Sequence, residues 1–178
     1  MSTLSFLFPL YFTLAALFLT AIETSLFPHL GVPSIFTPDL NLALITFLAS
    51  CPLGWRSFLA ALGVAFASPL YSSAPGIIQP GIMLFIFFTG CRLNQAIFMN
   101  NILPQAIFAG FGKFVMTIFL GLLAAPLPPL STTAIGALGC ALMTALFTLP
   151  ILAYLNMLQE RFRPANPDKL VKSSGMAK

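Results

Sequence analysis

Ionisable side chains are so scarce in this 178-residue chain that each one set in an apolar stretch is a candidate for chemistry. Lys113 stands inside the apolar run 105–125, nine residues past Pro104. At 1.5 Å per residue its Cα lies about 13–14 Å into a hydrocarbon core about 30 Å thick. A lysine at that depth costs about 3 kcal/mol on insertion scales, so it must face protein or water and find a partner. Two roles suit it: a charge that holds an anionic ligand or a docking protein, or a cation paired internally or snorkelling along its own stem. Gly110 and Gly112 beside it let another backbone approach closely, which suits a packed setting. Glu23 and Asp39 are the acidic residues near the opposite end of the spans. Each sits at the edge of an apolar stretch, where a carboxylate is solvated or caps a helix. Catalysis by such a pair needs a cleft and a geometry that spacing alone does not supply.

The remaining reactive residue types form no constellation. His29 has no His, Cys or Asp at ligand spacing. Cys51, Cys91 and Cys140 are odd in number and lack CxxC spacing, so they suit small apolar fillers better than a metal site or disulfide framework. No GxSxG, HExxH, Walker loop or GxGxxG occurs. The expectation is a non-enzyme with no catalytic residues, no metal and no cofactor.

The elements that must position these side chains follow from composition. An apolar fraction of 58% and a charged fraction of 7% depart from the roughly quarter-charged makeup of soluble domains, and mean hydropathy is +0.97. The chain is expected to be an all-α integral membrane protein, a bundle of about six transmembrane helices filling residues 1–158. The spans are placed at 4–22, 38–53, 57–71, 76–93, 105–125 and 132–157, with 159–178 a flexible basic tail. Polar, breaker-rich residues 23–37 form an external loop, and Pro38 suits a first helical position beside Asp39. Residues 92–104 suit a helix lying on the inner leaflet. Met1, Ser2 and Thr3 lack the basic n-region of a signal peptide, so the first helix is expected to be retained. Pro150 is placed to kink the last span.

Charge sets the orientation. Arg56, Arg92, Arg161, Arg163, Lys169, Lys172 and Lys178 fall on alternate connections and the tail, as expected when cytoplasmic segments retain positive charge. Both termini are thereby placed in the cytosol. Topology explains the net charge of +4 better than nucleic acid does. Small residues recur every fourth position at Ala137, Ala141 and Ala145, and Ala61 and Ala65 repeat the spacing. Such ridges let helices approach closely in lipid, either to close this bundle or to receive another membrane protein.

Certain motifs resemble the rod shape-determining protein MreD family. Ile22, Glu23, Thr24, Ser25, Leu26, Phe27 and Pro28 stand where that family ends its first helix in a polar residue and a Ser/Thr, apolar, Pro run. Pro38, Asp39 and Leu40 match its opening of the second helix, and Gly54 and Gly63 match its glycine-bearing turn and following helix. Glu23 replaces a frequent Gln, and the usual acidic residue near the end of the third helix is absent around Ala67 and Ser68. The resemblance implies a multi-pass component of the bacterial inner membrane that docks MreC and couples MreB-type filaments to peptidoglycan synthases. It also implies a fold similar to the substrate-binding subunits of energy-coupling vitamin transporters. The alternative function is therefore a small-solute transporter subunit with Lys113 in its ligand cavity. A reporter fused after Lys178 is expected to be accessible from the cytosol and protected from the periplasm; periplasmic labelling would overturn the orientation.

Overall fold

Long apolar stretches that cannot find water for their backbone groups satisfy them internally, and helices result. The computed structural model describes residues 4–31, 33, 37–51, 54–68, 78–97, 101–123 and 130–162, and it is all-helical. Its six helices are α1 (Leu4–His29), α2 (Leu40–Ser50), α3 (Trp55–Ala67), α4 (Ile78–Ile97), α5 (Ile102–Leu123) and α6 (Leu130–Phe162). Three of them are long and apolar enough to cross a membrane: α1, α5 and α6. α2 and α3, at 11 and 13 residues, span only about 16 and 20 Å at 1.5 Å per residue.

The bundle is organised around α2. Every residue of α2 from Leu40 to Ala49 is buried, and it packs against all five other helices. Around it α1 packs on α3, α3 on α4, and α5 on α6 in the most extensive pairing of the fold. α4 and α5 touch only lightly. The core is built of small and aromatic side chains: Phe12 of α1 stacks on Phe47 of α2 with ring centroids 5.9 Å apart, beside Ala16, Ala60, Ala61 and Val64. Leu103, Ile107, Phe111, Leu138, Leu142 and Leu146 are exposed on the outer faces of α5 and α6, as lipid-facing side chains would be.

Several boundaries differ from those read in the sequence, each for a physical reason. α1 runs on through His29, because Glu23 turns towards the bundle while Thr24 and Ser25 return their hydroxyls to carbonyls of the preceding turn. Residues 23–29 are therefore helix and not loop. Pro38 and Asp39 precede α2 instead of opening it. α4 continues to Ile97 and α5 starts at Ile102, so the expected inner-leaflet helix over 92–104 is replaced by two helix ends; 98–100 lie outside the described residues. α3 ends at Ala67 and not at 71, with 69–71 outside the described residues. α6 extends past 157 to Phe162 as one helix that includes Pro150, while 163–178, most of the expected tail, lie outside the described residues.

Two glycines serve steric needs. Gly54, ahead of α3, has φ +59°, a left-handed conformation that side chains resist. Gly110 of α5 lies so close to α6 that a Cβ there would sit 2.8 Å from the Ala141 carbonyl oxygen and 3.0 Å from Ala145 Cβ. Ala141 and Ala145 of the ridge are thus occupied by Gly110 of α5 within this chain. Gly110→Ala is expected to lower the thermal midpoint in detergent, since overpacking against backbone costs about 1–3 kcal/mol and outweighs the helix preference of Ala, about 1 kcal/mol. Gly81→Ala, where a Cβ meets nothing within 4 Å, is expected not to lower it.

Candidate functional site

α2 is too short to cross the bundle, so its N-terminus ends in the interior. Lys113, the twelfth of the 22 residues of α5, reaches it there, and its Nζ donates to Asp39 Oδ2 at 3.2 Å. The pair is enclosed, with side-chain exposures of 16% for Lys113 and 5% for Asp39. The Asp39 side chain therefore does not cap α2. Its backbone N–H donates to Thr144 Oγ1 of α6 at 3.0 Å. Glu23, half-buried on α1, takes over at the helix end and accepts the Leu40 N–H. This satisfies one of the orphan donors of the first turn and places negative charge at the positive end of the helix dipole.

The three ionisable residues singled out separately in the sequence thus converge. Glu23 lies within electrostatic reach of both Asp39 and Lys113, and the Cys140 thiol of α6 lies near Lys113. Of the two roles expected of a carboxylate there, Glu23 takes that of a helix cap, on α2 and not on its own helix, whereas Asp39 neither caps nor meets solvent because α2 carries it into the bundle. Lys113 is thus paired internally, one of the two roles open to it, and two carboxyl groups lie around its one ammonium.

Further polar side chains are paired inside the bundle. Asn41 Nδ2 donates to Thr20 Oγ1 at 2.8 Å, and Thr20 in turn donates to the Ala16 carbonyl at 2.8 Å. Gln79 of α4 donates to Ser68 Oγ at 2.9 Å beyond the end of α3. Asn41 and Thr20 were not singled out from the sequence. The available signal was the single Asn within the apolar run 40–49. Asp39 Oδ1 and Asn41 Oδ1 are buried without a hydrogen-bond partner.

The motif residues occupy demanding positions. Pro38 and Leu40 are buried at the entry to α2. Gly63 faces Thr13 of α1 so closely that a Cβ would collide with its hydroxyl. Ala137 is fully buried. His29 is exposed at the end of α1, and Cys51 is buried in the core. Among the described residues no three His, Cys, Asp or Glu side chains are grouped to hold a metal ion.

Two apolar grooves open on the outer surface of the bundle. One, about 490 Å³, lies between α4 and α5 and is lined by Gly81, Phe85, Val115 and Phe119; the other, about 330 Å³, lies between α1 and α6 over Leu44, with Tyr11 and Tyr154 on its walls. No family model, no curated protein and no solved structure matches the chain.

Removing one partner of a buried pair strands the other, which costs about 3–5 kcal/mol. The charge count makes the two removals unequal. Lys113→Met leaves two facing carboxylates and is expected to lose about that amount, whereas Asp39→Asn leaves Glu23 to balance Lys113 and is expected to lose less. Thermal unfolding of the two variants and their double mutant measures this; equal losses would refute the participation of Glu23.

Proposed function

We propose that the chain is a multi-pass scaffold subunit of the bacterial inner membrane, of the MreD kind. In this reading it docks an MreC-like membrane protein and links MreB-type filaments to peptidoglycan synthesis, with both termini cytoplasmic. The observation that carries the reading is that the residues of the resemblance fall where the fold makes its strictest demands. Glu23 and Asp39 organise the buried end of α2, Gly54 takes the left-handed turn, and Gly63 admits the α1 contact.

The docking surface assigned here differs from the one the small-residue spacing suggested. Ala141 and Ala145 are already used against Gly110. The grooves beside α4/α5 and α1/α6 remain, apolar and lipid-facing, with dimensions suited to the side chains of a crossing helix. In lipid such a contact is driven by packing, so filling a groove removes it without exposing new polar surface.

The second reading, a substrate-binding subunit for a small solute, is favoured by the ionisable centre inside the bundle. On the charge count its solute would be cationic. A native mass spectrum separates the two: a retained protein subunit supports the scaffold, a retained small molecule the transporter.

Gly81 has open space where a side chain would project, so Gly81→Leu fills the α4/α5 groove while leaving the bundle intact. It is expected to abolish co-purification with MreC at unchanged thermal midpoint. Retained MreC binding in Gly81→Leu and in Ala15→Leu of the second groove would overturn the proposed surface.

A further inference from the structure

The charge balance at the end of α2 has a chemical consequence that goes beyond the scaffold reading and does not rest on it. Glu23, Asp39 and Lys113 carry two negative charges and one positive when all are ionised. The N-terminus of α2 contributes about half a positive charge, which offsets part of the excess. Among the described residues, the elements packed around Glu23 bring no further cation. α2 presents Asp39 and backbone N–H groups, α5 presents Lys113, and α6 presents the Cys140 thiol. The ionisable residue of α3 is Arg56, in its first turn against the Trp55 ring, and Arg92 is exposed near the end of α4.

Uncompensated charge in an apolar interior is expensive, and groups so placed take up a counter-charge. Asp39 supplies the acceptor. Asp39 is 4% exposed, one carboxylate oxygen engages Lys113, and the other, Oδ1, is buried without a hydrogen-bond partner. We infer that the Glu23–Asp39–Lys113 centre binds one exchangeable monovalent cation, a proton or a sodium ion, through the two carboxylates. Occupancy neutralises the centre. Loss of the ion leaves Glu23 and Asp39 repelling each other at the N-terminus of α2, so α2, which touches every other helix, responds to it.

The test uses the full chain in nanodiscs, with thermal midpoints measured from about pH 5 to about pH 9, the range in which buried carboxyls titrate, in sodium chloride and in choline chloride. For a proton, the native state holds more protons than the unfolded one, so stability falls as pH rises, with a slope of about one proton per chain. For sodium, the midpoint at the alkaline end rises with sodium and not with choline. Glu23→Gln balances the centre by itself, and its difference from wild type removes the background of the tail. It is expected to lose the dependence, to about zero ions per chain. Lys113→Met is expected to raise it towards about two. Should Lys113→Met fail to fold, wild type and Glu23→Gln decide alone. A wild-type midpoint that answers to neither pH nor sodium, or a Glu23→Gln protein that keeps the wild-type dependence, overturns the site.

Discussion

The structure depends on how the backbone at the start of α2 is satisfied in the interior. An α-helix that begins in water leaves its first N–H groups to solvent; α2 begins inside a bundle, where each orphan donor costs about 1–3 kcal/mol if left unmade. Glu23 from α1 accepts one and Thr144 from α6 accepts the preceding one at Asp39. Asp39, released from capping, turns to Lys113 on α5. Three outer helices are thereby tied to one point on the central one. Non-helical backbone at this depth is tolerable only because protein surrounds it, and Pro38 and Asp39 are both buried.

Helix existence was legible in the sequence because uninterrupted apolar runs leave the backbone no other partner. All six runs became helices. The boundaries were less legible where a polar residue serves the interior. Glu23 looks like a helix end since a carboxylate in lipid is costly, and nothing local reveals that α2 supplies its N–H partner from 17 residues away. Asp39 looks like a cap for the same reason; its partner lies 74 residues away on α5. That Lys113 needs a partner follows from burial energetics, but the identity of the partner is a property of tertiary arrangement. The Ala137, Ala141 and Ala145 spacing was likewise visible, whereas its occupant, Gly110, became evident only in the packed α5/α6 pair.

The same packing explains where the bundle is tight and where it is open. α5 meets α6 through glycine and alanine, so their backbones approach closely and dispersion contacts are dense. α4 and α5 carry Phe85, Phe119 and Val115 at their margin, which hold the helices apart and leave a groove. In water such an opening would close by hydrophobic collapse. In lipid, acyl chains would wet it as well as another side chain would, so nothing would force closure.

α2 also shows why so apolar a bundle retains buried polar groups. Buried on every side from Leu40 to Ala49 and apolar there except at Asn41 and Thr46, it has no continuous polar face to set its rotation, and apolar packing alone would distinguish weakly between one turn and the next. Hydrogen bonds are directional where apolar contacts are not. Asn41 on Thr20, Asp39 on Thr144 and Lys113, and Leu40 N–H on Glu23 are satisfied together in one register, and any slip breaks all of them inside a medium that offers no replacement. A pair such as Asp39 and Lys113 adds little net stability over an apolar equivalent. Its contribution here is to make one arrangement of α2 far better than its neighbours, and any event that changes the charge of that pair acts directly on the register of the central helix.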